Sequence, residues 1–169
     1  MHTPETDNMA KLWDLIGDIR FAMFTTRHHT NGHLHSRPMT TQNSRDDHDT
    51  KLWFFMSRQG EPVAELAAEP SVNVAYANPG KDTYVSVSGN AAVVDDVAKK
   101  RQLWTKLTEA WFPGGPTDPD LALVRVDITH AHFWDVHENK LVQLFEMGKA
   151  AVTGHTPPKM GRQGEVRMA

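Results

Sequence analysis

Two short runs hold most of the side chains in this chain that could do chemistry. His35-Ser36-Arg37-Pro38-Met39 places a hydroxyl and a guanidinium inside a strand-like stretch, and Phe55-Met56-Ser57-Arg58 closes an apolar, aromatic run with a second hydroxyl and a second guanidinium. The arginine fork binds carboxylates and phosphates bidentately, so an arginine in mid-strand either pairs with an acid or holds an anion. Pro38 removes a ladder donor, which puts its strand at an edge, at a bulge, or against something other than a neighbouring strand. A flat apolar wall with two hydroxyls and two guanidinium groups suits a planar, phosphorylated ligand.

Other chemistries lack their anchors. Neither GxGxxG nor GxxxxGK[ST] occurs, so a Rossmann site or a P-loop has no support, and GxSxG and HExxH are absent too. There is no cysteine, which removes disulfides, thiolate metal sites and a cysteine nucleophile. Ten histidines include His33 with His35 and His130 with His132, each pair alternating on one strand face. Imidazole is the commonest metal ligand, but HxH without a partner motif is a weak signal, and nothing in the sequence makes the two pairs converge. No metal site is expected. Trp13 and Trp104 fall at helical spacing and read as core, whereas Trp111, at the start of a Pro/Gly loop, and Trp134, beside Asp135, are candidates to line a cavity mouth.

The elements that must position these residues follow from periodicity and breakers. Thr3-Pro4-Glu5 starts an amphipathic helix over residues 4–19. Asn31-Gly32 joins strands at 21–27 and 33–42 into a hairpin. The polar run 43–50 is a loop before a strand at 52–56, and Gly60-Glu61-Pro62 opens a short helix that Pro70 stops. Strands are expected at 71–77 and 83–94, with Val85 and Val87 on one face, Tyr84, Ser86 and Ser88 on the other, and a bulge at Gly89. Asp95-Asp96 caps a helix over 97–110 in which Leu103, Trp104, Leu107 and Trp111 share a face. Strands at 121–129 and 132–135 precede a helix over 141–152, and a polar tail from His155 is expected to be loosely held. Six or seven short strands without a βαβ rhythm predict a mainly β fold, an antiparallel barrel with flanking helices, as one domain over 1–154.

Composition narrows the partners. A net charge of −3 in 169 residues, with both signs interspersed, offers no basic stripe for nucleic acid or an anionic membrane. No apolar run approaches membrane-spanning length, and no leader pattern opens the chain, so the cytoplasm is expected.

At the residues above, the chain resembles the general stress protein 26-like members of the pyridoxamine 5′-phosphate oxidase-related family, the FMN-binding split barrels. The matching pieces are His35-Ser36-Arg37-Pro38-Met39, Leu52-Trp53-Phe54-Phe55 with Ser57-Arg58, Tyr84-Val85-Ser86-Val87-Ser88-Gly89, Trp111-Phe112-Pro113-Gly114-Gly115 with Asp118-Pro119, and Phe133-Trp134-Asp135, in the family's order. The resemblance implies a six-stranded antiparallel split barrel that forms a homodimer with FMN at the subunit interface. It implies cofactor contacts from Ser36, Arg37, Pro38 and Met39, from Phe55, Met56, Ser57 and Arg58, and from Ser86, Trp111 and Trp134, the last three from the partner subunit or its loop. Redox chemistry would belong to the flavin, since no residue here is a convincing acid or base. The alternative is a non-catalytic stress-response or ligand-binding barrel that has lost or weakened FMN binding. Relatives carry a hydroxyl where this chain has Met56 and a lysine near the start of the next helix, where this chain has Gly60 and Pro62. The missing charge contact is worth about 1–3 kcal/mol, unless Arg58 or the helix N-terminus replaces it. The C-terminal Gly164 to Ala169 does not resemble the arginine-containing signature of the oxidase itself, so pyridoxamine 5′-phosphate oxidation is disfavoured.

Overall fold

The apolar alternation of the strands drives a single curled antiparallel sheet, seen in a computed structural model that describes residues 4–44, 49–136, 140–154 and 161–168. In chain order the elements are α1 (Pro4–Ile19), β1 (Phe21–Arg27), β2 (Leu34–Thr40), β3 (Lys51–Ser57), α2 (Glu61–Ala68), β4 (Ser71–Asn78), β5 (Thr83–Val94), α3 (Val97–Leu103), α4 (Lys106–Trp111), β6 (Leu121–Asp135), α5 (Lys140–Thr153) and β7 (Arg162–Arg167). The strand order is β2-β1-β4-β5-β6-β3, with β7 added on β6. Six strands thus curl into the half-barrel that the alternation predicts, and β2 and β3 are its two ends. Pro38 lies on β2, an edge strand, where a missing N–H does least harm.

The inner face is packed with apolar side chains. Phe24, Phe54, Val74, Tyr76, Val87, Val124, Val126 and Phe133 fill it, with Leu12 and Ile16 of α1 closing one side and Leu66 of α2 the other. Phe24 and Phe54 meet edge to face at 5.1 Å. Just past the end of β2 the chain is laced to β3: the Gln42 N–H donates to the Trp53 carbonyl at 2.8 Å, and Asn43 Oδ1 accepts the Trp53 N–H at 2.9 Å. A second, smaller cluster lies on the other side of β3, where Trp53 and Phe55 pack with Leu103, Phe112, Leu121 and Leu123.

Several local expectations hold. The β1–β2 hairpin turns with Gly32 at φ 71°, and the ladder shifts register at Ser88/Gly89, where a Cβ on Gly89 would sit 2.5 Å from the Asp127 carbonyl oxygen. Trp13 is buried in the core and Trp104 packs against the second cluster, as their spacing predicts.

Others are corrected. The helix expected over 97–110 is two helices, because Thr105 takes an extended conformation and its side chain accepts the Thr108 N–H as an N-cap. The break turns Leu107 and Trp111 out to solvent instead of onto the face of Leu103. Phe112, next to the exposed Trp111, is buried. The strands expected at 121–129 and 132–135 are one 15-residue strand, β6. The tail expected to be loose from 155 contains β7, paired to His130–Asp135 of β6 and anchored by Val166, which is 1% exposed. The cap residue Thr3, residues 45–48 of the polar loop, and residues 155–160 lie outside the described residues.

Candidate functional site

The alternation of β1, β2, β4, β5 and β6 leaves one row of side chains on the outside of the sheet at each register. Pro38 faces Met23, Met23 faces Ala75, Ala75 faces Ser86, Ser86 faces His132 and His132 faces Glu165, in one line across six strands. Ser36 and Thr25 lie one row over, their hydroxyls 2.7 Å apart, and Ser86 accepts from Asn73 Nδ2 at 2.9 Å. Tyr84 and Trp134 are paired on the other side of the row, and Trp134 lies 6.3 Å from the His132 ring in a stacked arrangement. Phe21, Met23, Tyr84 and Trp134 are all exposed, so this is an apolar and hydroxyl-bearing face open to solvent in the single chain. Ser36, Pro38, Ser86 and Trp134 therefore share one surface.

Arg37 and Met39 point to the opposite side of β2. Met39 packs against the main core. Arg37 reaches the gap between β1, β2 and the start of α2, where its Nη1 donates to Thr26 Oγ1 at 2.7 Å and its Nη2 lies 2.9 Å from Glu61 Oε2 and 3.0 Å from Glu65 Oε2. Glu65 is fully buried and also accepts from the Thr26 hydroxyl. Its Oε1 takes no hydrogen bond; His35 Nδ1 stands 3.4 Å away. His28 Nε2 lies 3.5 Å from Glu61 Oε1. The hydrogen bond from Arg37, opposed by some desolvation and helped by the charges of Arg37, His35 and His28, holds the Glu61 carboxyl below the usual carboxylate range. Of the two roles open to a mid-strand arginine, this one pairs with acids.

The third group lies at the end of β3. Met56 is buried in the main core and Phe55 in the second cluster, since β3 is covered on both faces and successive side chains enter opposite cores. The Ser57 hydroxyl donates to Asp120 Oδ1 at 2.9 Å. The Arg58 N–H donates to the Asp120 carbonyl at 2.6 Å, and its guanidinium reaches the Leu121 carbonyl and Asp95, each at 3.5 Å. Trp111, at the end of α4, is 83% exposed. The residues singled out from the sequence thus fall into three places: an outer face, a charged gap behind it, and the loop-side end of β3.

The sequence did not show the partners of Arg37. Their signal was present: Glu61 and Glu65 stand four apart on a short helix, and His35 and Arg37 two apart on a strand, so each pair shares a face. His35 points to the inner side of β2, while His130 and His132 lie on the outer face of β6, so the two HxH pairs do not converge. Ligand atoms of His28, Glu61 and Glu65 do lie within 4.8 Å of one another, but Arg37 already supplies the positive charge between the carboxylates.

With this geometry in view, comparison with known proteins is decisive at the level of family. The pyridoxamine 5′-phosphate oxidase like family model matches residues 7–158. This chain belongs to that family. A solved structure described as a general stress protein 26 from Jannaschia sp. CCS1 is 26% identical, covers 96% of this chain and 99% of its own, and superposes with a TM-score of 0.73. The general stress FMN/FAD binding protein from Xanthomonas citri is 33% identical over 79% of this chain and 91% of its own, with a TM-score of 0.67. Protein bli-3 of Neurospora crassa is 27% identical over 143 residues, 80% of this chain and 68% of the relative. The half-barrel with flanking helices is the fold of these split-barrel proteins. No helix among the described residues is long and apolar enough to cross a membrane.

Proposed function

We propose that this pyridoxamine 5′-phosphate oxidase-like protein binds a flavin as a homodimer, with the ring on the outer sheet face, and is a flavin-dependent oxidoreductase of the general stress protein 26 type. The observation that carries the reading is the exposed row through Pro38, Met23, Ala75 and Ser86, flanked by Ser36 and Trp134. A planar ring needs such a flat, part-apolar, hydroxyl-edged surface, and an open face of this kind calls for a second wall. Pro38 and Ser86 are three strands apart, about 14 Å at the usual strand spacing, which is too far for both to grip one ring edge from the same copy. Ser36 and Pro38 from one subunit, facing Ser86 and Trp134 from the other, is the arrangement that brings them together. A bound flavin supplies electron transfer at its own ring, and the protein supplies orientation and access. We place the protein in the cytoplasm, a reading that the absence of cysteine supports.

The relative from Xanthomonas citri is named for binding FMN or FAD, and FMN is the flavin implied by the resemblance. The face described here fits the ring of FMN. Two of the contacts that the resemblance implies do not fit its phosphate, because Arg37 is engaged by two carboxylates and Met56 lies in the core. That observation favours a second reading, a split-barrel protein with weakened FMN binding and no catalysis. Mixing purified protein with FMN or riboflavin, removing free ligand by gel filtration and recording the visible spectrum separates the readings. Retained flavin that NADH or NADPH bleaches supports the oxidoreductase. Flavin that is retained but never reduced supports the second reading, and protein that stays colourless with both flavins contradicts the first.

A further inference from the structure

We infer that His28, Glu61 and Glu65 form a binding site for a divalent transition metal of the Zn²⁺ kind, which pins the β1–β2 hairpin to α2. Such a site stands apart from the outer sheet face and needs no flavin. His28 follows β1, Glu61 and Glu65 stand one turn apart on α2, and one ligand atom from each lies within 4.8 Å of the other two. His28 Nε2 is 3.5 Å from Glu61 Oε1, and His35 Nδ1, a fourth donor on β2, is 3.4 Å from Glu65 Oε1. An N–H···O hydrogen bond is shorter, about 2.7–3.2 Å. Two donors bound at roughly 2.0–2.1 Å to one tetrahedral ion stand about 3.4 Å apart, and both imidazole–carboxylate pairs match that span.

Glu65 itself calls for a cation. The residue has no exposure and its Oε1 has no hydrogen-bond partner, whereas its Oε2 accepts from Thr26 and pairs with Arg37. A buried carboxylate oxygen left bare is costly, and an ion is one of the few groups that satisfies it. Arg37 does not fill that place. Its Nη2 meets the Oε2 atoms of Glu61 and Glu65, at 2.9 and 3.0 Å, which leaves both Oε1 atoms facing the imidazoles. Ligands held from behind in this way are typical of metal sites. On His28, binding at Nε2 selects the tautomer with its hydrogen on Nδ1, and Thr30 Oγ1, 2.9 Å from Nδ1, accepts it. Glu61, its side chain 53% exposed, opens the site to solvent. Imidazole beside carboxylate favours zinc-like ions over Mg²⁺, which prefers oxygen ligands alone.

Calorimetric titration of the full chain, without a histidine tag and freed of metal by a chelator, reads the site directly. One Zn²⁺ per chain is expected, with Mg²⁺ at least about a hundredfold weaker. His28→Ala and Glu61→Gln should each weaken Zn²⁺ about a hundredfold, no less than removing an outer contact of a metal site costs. His130→Ala, which breaks the histidine pair on the outer face of β6, should leave binding unchanged. Unchanged affinity in His28→Ala or Glu61→Gln, equal binding of Mg²⁺, or loss of binding in His130→Ala overturns the assignment. The thermal midpoint gives a second reading, taken as the change on adding Zn²⁺ so that the starting stability of each variant drops out. Zn²⁺ should raise the midpoint of the wild type and of His130→Ala but not of His28→Ala. A rise in all three, or in none, overturns it.

Discussion

Arg37 serves stability before it serves any ligand. Its guanidinium neutralises Glu65, a carboxylate with no exposure at all, and truncating it would leave that charge buried with the Thr26 hydroxyl and the His35 imidazole, 3.4 Å away, as its polar neighbours. Arg37→Ala should therefore lower the unfolding free energy by about 3 kcal/mol, the cost typical of breaking a buried pair from one side. Urea denaturation checks this, and Arg37→Met combined with Glu65→Leu should recover most of the loss, because no lone charge remains. The sequence posed the choice at this residue, acid partner or anion, but not its answer, since Glu61 and Glu65 reach Arg37 only through the placement of α2 over β1 and β2. Acid should act on the same cluster. With its folded pKa depressed, Glu61 contributes its stabilisation fully above its ordinary 4.5 and loses it as the pH falls through the lower folded value. Wild type and Glu61→Gln should then converge in stability on acidification below that point, as thermal scans against pH would show. Tyr76 works at the other extreme. Burial raises its phenol well above the ordinary 10, with the hydrogen bond to Thr41 opposing, so the wild type should begin to lose stability above pH 10 and Tyr76→Phe should not.

Strands, hairpin and bulge were legible because each has a local cause. The Asn31-Gly32 turn, the alternation of β5 and the position of Gly89 need no knowledge of the rest of the chain. At Gly89 the backbone of β6 passes so closely that a methyl would strike the Asp127 carbonyl oxygen and Val126 Cγ1, at 2.5 and 2.8 Å. Gly89→Ala should cost about 1–3 kcal/mol, the usual range for forcing volume into a packed region, and lower the urea midpoint accordingly. The elements that escaped the sequence are those whose cause is distant. Strand β7, RQGEVR, buries one side chain, Val166, and shows no hydrophobic alternation; it exists because the C-terminal half of β6 has an open edge that β3, paired to residues 121–127, does not cover. The split between α3 and α4 turns on one threonine hydroxyl, which a periodicity count passes over.

Across the whole molecule, the fold class could be read from the chain, whereas the sharing of one face by Ser36, Pro38, Ser86 and Trp134, and the separation of Arg37, Met56 and Phe55 from it, could not. The reason is geometric: neighbours in a strand point to opposite sides, so a contiguous motif such as Ser36 to Met39 divides between a surface and a core. The exposed face, with Phe21, Met23, Tyr84 and Trp134, is the surface we assign to the second copy. A charge at its centre, Met23→Glu, should yield a folded monomer that no longer retains flavin, judged by circular dichroism and light scattering. The central claim, a flavin held between two copies, is tested most directly by sedimenting the protein with riboflavin and following the visible absorbance of the flavin. The account predicts that this absorbance moves with a boundary of twice the 19.0 kDa chain mass. Flavin that stays behind, or that travels with a 19.0 kDa monomer, would contradict it.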